Sequence, residues 1–487
     1  MAYTAFITRI KNLRQHPNAD RLQMGECFGN TVIVSMDYTD NQIGIYFPSD
    51  GQVSVAFAEA NNLLRKKDDA GNNIGGYMDA DKRNVTAIKL RGEKSDGLFL
   101  PLSSLESFGD ITTLKEGDRI DNFNGHEICC KYVPKRNHRQ GGVSNGNRTR
   151  KKKVDVAPLF VEHADTEQLA YNLAAFKPGD EIEITLKMHG TSQRTAHLPV
   201  VVGDCMPNIA RWITDRAGIF KIFKPTKKMI EWAEDNTTYI YDWGYVSGTR
   251  RTVLENYDGG YYGSNEFREQ HSKFFEGKLW KGEEIFYEVV GFTHTGAPIM
   301  ADADNKKLND KEFVKQYGKT TTFSYGCANQ AIPAVMKAPE MVEVSPAVPQ
   351  SDIYVYRMTM TNEDGDTVEY TPDFMRYRCE QMGVKTVPVF YKGIIDEHNW
   401  IVSKDAKDYV RYDDVGEYVK EIAERYYDGP DPIGKTHVRE GVVVRILNRP
   451  KFCAYKHKNW SFKALEGIVK VEAEAPDMEE AEDVTDA

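Results

Sequence analysis

EIEITLKMHG, residues 181–190, alternates apolar and polar side chains and then breaks at a glycine. Ile182, Ile184 and Leu186 fall on one face at period two, so the stretch reads as a half-buried β-strand with Lys187 just past its last apolar residue. Four later segments read as strands too: EIFYEVVGF (284–292), DIYVYRMTM (352–360), EGVVVRIL (440–447) and FCAYKHK (452–458). Helical pattern lies between them, as in VGEYVKEIAERYY (415–427). Asp165 with Gln168 three residues on predicts an N-cap and its box partner, opening a helix over TEQLAYNLAAF (166–176). The fold class expected for this part is α+β, with antiparallel sheets flanked by helices.

Residues 1–132 differ in texture. Short β-rich runs, TVIVSM (31–36), QIGIYF (42–47), VTAIKL (85–90) and GLFLPL (97–102), are separated by turn signals at Gly51, Gly71 and Gly75–Gly76, which predicts a small β-barrel. Between Lys135 and Lys153 the chain turns basic and loses apolar periodicity, with eight Lys and Arg, so 133–155 is expected to be a linker with a possible second use in phosphate contact. A second domain is assigned to 156–470, and the acidic stretch 471–487 is expected to be a disordered tail.

The chain has 487 residues, too many for one ordinary core, and its 40% hydrophobic and 28% charged residues are those of a globular protein. No apolar run approaches the ~18 residues of a bilayer span, and the N-terminus lacks a secretory pattern, so the expectation is a cytoplasmic protein that meets no membrane. Seven cysteines without C-x-x-C spacing argue against a disulfide framework and a structural zinc. A net charge of −10 does not advertise a nucleic-acid binder, so any such binding has to be local.

Lys187 alone carries little information, since a surface lysine before a turn is commonplace. With Glu288, Glu440, Lys456 and Lys458, each on an expected strand, it becomes an ordered set. Lys187-Met188-His189-Gly190-Thr191 resembles the first motif of template-dependent RNA ligases, EGVVVRI resembles their fourth motif, and YKHKNWSF resembles their K-x-K-N-x-x-F closing motif. The likeness runs from about 156 to 465. HPNADRLQMGE (16–26) and VTAIKLRGEKSDGLFLP (85–101) resemble, more loosely, the OB-like domain that precedes the transferase domain in the RNA ligase 5 family.

The resemblance implies an ATP-dependent RNA ligase that seals 3′-OH and 5′-phosphate ends. Lys187 would carry AMP, and Mg²⁺ or Mn²⁺ would assist. A free lysine has a pKa of ~10.4, so roughly one in a thousand is neutral near pH 7.4, and Lys187 needs activation. Lys456 and Lys458, two apart on a strand and so on one face, are candidates for that and for holding the α-phosphate. Glu440 is expected at the metal or against the Lys187 amine. By resemblance Glu288 takes the ribose hydroxyls, His189, Gly190 and Thr191 border the nucleotide, and Tyr356, with Tyr354 on the same strand, stacks on adenine. Arg250 is the candidate ribose-contacting arginine and Arg251 its rival, because an insertion around 203–229 separates this motif from Lys187.

The expected partner is RNA, as a nicked duplex, bound by a monomer. Only 29 residues follow Lys458, against the roughly 80 to 100 of a C-terminal OB domain, so the strand-gripping module is expected upstream. Two other readings stand beside this one: an RNA capping-type nucleotidyltransferase, and a non-catalytic nucleic-acid-binding protein.

Overall fold

The computed structural model describes residues 3–49, 51–67, 73–132, 156–163, 166–205, 232, 237–250, 253–254, 257, 265–300, 311–318, 321–329, 349–396, 400–402, 409–412, 414–465 and 469–470. The basic linker 133–155, Asp165, most of the insertion, Arg251 and the acidic tail 471–487 lie outside the described residues.

In the N-terminal part, β1 (Ala5–Arg9) runs on through Ile10 into β2 (Lys11–Gln15), followed by β3 (Leu22–Cys27), β4 (Asn30–Ser35) and β5 (Ile43–Phe47). The hairpin β6 (Ala87–Leu90) and β7 (Glu93–Ser95) precedes β8 (Leu98–Pro101) and β9 (Arg119–Ile120). One antiparallel sheet has the order β8-β5-β1-β9 and another the order β2-β3-β4. Ile7, Ile45, Phe47 and Phe57 fill one core, and Ile10, Cys27, Val32, Tyr46 and Phe99 a second. The expected barrel is corrected accordingly: among the described residues the ladders remain separate sheets and close no ring, because β8 and β9, the edges of the four-stranded sheet, pair with no strand of the sheet β2-β3-β4.

The larger part holds two antiparallel sheets. β10 (Glu181–Lys187), β11 (Thr191–Cys205), β12 (Thr238–Gly248), β13 (Glu283–Gly291), β14 (Ser351–Thr361), β15 (Val389–Ile394), β16 (Gly441–Ile446) and β17 (Cys453–Lys458) supply most of their strands. The order β17-β16-β10-β15, extended by Glu167–Gln168, makes a sheet of five. A sheet of six runs β12-β11-β13-β14, ends on Thr367–Glu369, and takes Lys385–Thr386 in parallel beside β14. The chain passes from the first sheet to the second between Lys187 and Thr191, within three residues.

Helices cover the outer faces. α1 (Glu266–Phe274) and α2 (Pro372–Met382) pack on the six-stranded sheet, burying Phe267, Met375 and Cys379 against Ile285, Tyr287 and Val355. α3 (Val415–Tyr427) starts at Asp414, whose side chain accepts from the Glu417 N–H, and buries Val419, Ile422 and Ala423 against Ile182, Ile184, Val442 and Val444. A third core, Leu186, Met188, Val290, Tyr354, Val438 and Phe462, sits where the sheets meet. Phe462 belongs to α4 (Trp460–Leu465), and β18 (Val469–Lys470) then pairs in parallel with β6. No described helix is long and apolar enough to cross a membrane.

The helix expected over 166–176 does not form. Glu167–Gln168 joins the sheet edge beside Tyr455 and Lys456, and two short 3₁₀ turns follow, Leu169–Tyr171 and Leu173–Ala175. Tertiary contacts override the local signal: Glu167 and Gln168 are taken into the parallel ladder with β17, and the Tyr171 ring packs 5.1 Å from that of Phe6 in the N-terminal part.

Candidate active site

Sheet register lines up the first set of residues. Lys187 lies opposite Gly441, and Gly441 opposite Lys458, so the three residues form one row across β10, β16 and β17. Gly441 has φ +151°, and a Cβ there would stand 2.0 Å from the His457 carbonyl oxygen. Only glycine allows the close strand contact that puts its neighbour, Glu440, under the row.

Glu440 is 2% exposed. Lys187 Nζ donates to its Oε1, Lys458 Nζ lies 3.5 Å from the same oxygen, and His189 Nδ1 lies 3.6 Å from Oε2. Burial opposes ionisation of this carboxyl, but the Lys187 and Lys458 ammoniums and His189 outweigh it and hold Glu440 well below the usual carboxylate range. The group touching Lys187 is therefore a carboxylate, and Lys458 reaches it across that shared oxygen. Lys456 lies one repeat along the same face, opposite Val443, which itself stands opposite Thr185.

His189, also buried, spends its polar atoms on the protein. Its N–H donates to the Tyr325 hydroxyl at 2.8 Å, Nε2 lies 2.9 Å from the Met300 carbonyl oxygen, and the rings of Phe323 and Phe462 meet it edge-on. The side chain buttresses Glu440. Gly190 is required by close approach: a Cβ would lie 2.5 Å from the Val289 carbonyl oxygen and 2.8 Å from Glu288 Cγ. Thr191 Oγ1 accepts from Arg268.

The six-stranded sheet supplies the facing wall. Ser192 stands opposite Glu288 and Glu288 opposite Tyr354. Tyr354 turns into the core, whereas Tyr356 is the extra residue at a register shift between β13 and β14 and reaches the cleft, its hydroxyl 3.0 Å from Ser192 Oγ. Arg250, just past β12, lines the same cleft. Burial raises Glu288 to about 7 against the opposing pull of Lys187.

The cleft thus collects Lys187, Glu288, Tyr356 and Arg250 from four separate stretches of chain. It also contains residues that sequence reading missed. Glu183 and Thr185 extend from Lys187 along the same face of β10, Arg376 pairs with Glu183 at 2.9 Å, and Arg445, His163 and Phe452 close the far end. The period of β10 could have exposed Glu183 and Thr185; nothing local marks the others, which arrive from distant elements.

Among the described residues no three His, Cys, Asp or Glu side chains are grouped as a metal cage. Glu440, already paired with Lys187 and Lys458, has at most one oxygen to offer a hard divalent ion, whose other ligands would be phosphate and water oxygens. The arrangement can hold a polyphosphate at its lysine end and stack a flat base on Tyr356.

No protein-family model matches this chain, and no curated protein matches it. Solved structures do. Naegleria gruberi RNA ligase with PPi is similar over 94% of this chain and 97% of that chain, with TM-score 0.52 and 14% identity. A mutant of the same ligase with ATP and Mn matches over 96% and 99%, with TM-score 0.51 and 14% identity. Another, with AMP and Mn, matches over 95% and 98%, with TM-score 0.51 and 13% identity. The likeness shows an RNA ligase-like fold over nearly the whole length.

Proposed function

We propose that this chain is an ATP-dependent RNA ligase that becomes adenylylated on Lys187 and seals 3′-OH and 5′-phosphate RNA ends, in a nicked duplex, as a monomer. The observation that carries the reading is the convergence of Lys187 and Lys458 on one carboxylate oxygen of Glu440, with Lys187 itself lining a cleft beside Glu288, Tyr356 and Arg250. The fold it shares with a ligase solved with ATP and Mn, AMP and Mn, and PPi supports it.

In this reading Tyr356 stacks on adenine, and Glu288 and Arg250 orient the ribose. The Lys187 amine attacks the α-phosphorus of ATP; the N–P bond forms as the bond to pyrophosphate breaks. Lys456 and Lys458 neutralise the phosphoryl oxygens, and His189 keeps Glu440 in place. AMP then passes to the 5′-phosphate of one RNA end, and the 3′-OH of the other displaces it. A divalent cation held by Glu440 would supply positive charge at the phosphates. The OB-like N-terminal part grips the RNA, with affinity that falls as salt rises.

The test is incubation with α-labelled ATP or GTP and Mg²⁺, followed by denaturing electrophoresis. Label from ATP should stay with the protein, vanish in Lys187→Ala and form more slowly in Lys458→Ala. An adduct formed only from GTP would favour the capping-type reaction, and no adduct with either would favour a non-catalytic binder. Unchanged adduct in Lys187→Ala would refute the assignment of the nucleophile.

A further inference from the structure

Two N-terminal stretches that stand out in the sequence, HPNADRLQMGE (16–26) and VTAIKLRGEKSDGLFLP (85–101), take no part in the chemistry above. The fold brings them together. His16 Nε2 is 3.2 Å from the Leu90 carbonyl oxygen, the Asn18 amide donates to the Arg91 carbonyl at 2.7 Å, and the Arg91 guanidinium donates back to the Asn18 carbonyl at 3.3 Å. Arg91 at φ +45° and Gly92 at φ +95° make the two-residue turn that joins β6 to β7, where Leu90 pairs with Glu93. The first stretch therefore braces the tip of a hairpin built from the second, and Arg91 and Lys94 stand exposed on it.

The same hairpin docks on the helix that follows the closing motif. Asp96 accepts from Lys463 of α4 at 2.5 Å, and the Lys94 ammonium lies 4.8 Å from the centre of the Trp460 ring. Trp460 comes two residues after Lys458. Phe462 and Leu465 of α4 are buried in the core between the sheets, whereas Trp460 joins none of the core clusters among the described residues and stays half-exposed. Lys94 is itself exposed, so its hold on the ring is weak and yields readily to a phosphate.

We infer that this seam between the two parts is the seat of an RNA strand beside the break, with Trp460 stacking on a nucleobase and Lys94 and Arg91 taking the adjoining phosphates. The chemistry fits single-strand recognition, in which a flat side chain takes the base and cations follow the backbone. The position fits as well, because Trp460 is two residues from a lysine whose amine is 3.5 Å from Glu440. The inference rests on the ligase reading, since the strand held here is the one to be joined.

The experiment is fluorescence anisotropy of a dye-labelled nicked RNA duplex with the full-length protein over a salt series, on wild type, Trp460→Ala, Trp460→Phe, Lys94→Gln and Arg91→Gln. Trp460→Ala should weaken binding by about tenfold or more, and Trp460→Phe should restore most of it. Each cation variant should lower the slope of log affinity against log salt by about one. If Trp460→Ala and both cation variants bind as tightly as wild type with the same slope, the seat is refuted. Reduced melting temperatures in such variants would then mark the seam as simple glue. Lysyl-AMP formation by wild type with ATP and Mg²⁺, without RNA, is measured in parallel: its absence refutes the ligase reading, whereas its presence with unchanged RNA binding in the variants refutes only the seat.

Discussion

Glu288 is a carboxyl placed where ionisation is costly. Burial lifts its pKa from the ordinary 4.5 to about 7 in the folded chain. The stability contributed by its neutral form is then complete below 4.5 and is lost as pH rises through about 7. Glu288→Gln, which cannot ionise, should melt close to wild type near the acid end of that window and above it at about pH 8. Melting temperatures of the two proteins across the window check this, and a pH-independent difference would contradict it. At the same scale, sequence pattern singled out Lys187, Glu288, Glu440 and Lys458 and left Glu440 either at the metal or against the Lys187 amine; the structure puts its carboxylate against that amine. Strand periodicity says which face a side chain takes, but it cannot say that a glycine would let Glu440 slip under that face.

Elements decide how tightly the motifs are held. β16 and β17 pair so closely at Gly441 that an added methyl would meet the His457 carbonyl at 2.0 Å and Lys458 Cα at 2.8 Å, both backbone atoms that cannot swing away. Gly441→Ala should therefore cost about 2–3 kcal/mol in stability and strongly reduce adenylylation, since Glu440 and Lys458 move apart. Gly277, at φ +76° with open space where its Cβ would be, is the comparison: Gly277→Ala should cost about 1 kcal/mol and leave adenylylation intact. Urea unfolding together with the labelled-AMP assay separates the two outcomes. The strands expected from sequence formed within a residue or two of their predicted ends, because alternation was strong and one face of each is buried. The helix over 166–176 failed because its apolar spacing was weaker than the ladder that takes Glu167 and Gln168 and the packing of Tyr171 against Phe6.

At the scale of the molecule, the two parts share their cores and edges. Tyr171 of the larger part packs among Phe6, Phe28 and Tyr46 of the smaller, Lys420 Nζ donates to the Gly29 carbonyl at 3.4 Å, and β18 extends the sheet of β6 and β7. Tyr171→Ala should cost about 2 kcal/mol and lower the stability of both parts in a single cooperative transition. Tryptophan fluorescence and far-ultraviolet circular dichroism that lose signal at different temperatures in wild type would show instead that the parts melt separately. The sequence by itself determined the α+β class, most of the strands, and the ordered lysines and glutamates, because these depend on period and residue type within a few positions. Only the tertiary structure decided that Lys187 rests on Glu440, that Tyr356 and not Tyr354 faces the cleft, and that Arg376, Arg445 and His163 close it. It also decided that the hairpin at Arg91 meets Trp460. Each of these depends on a register shift or on contact between residues tens to hundreds of positions apart, and no local pattern encodes such a distance.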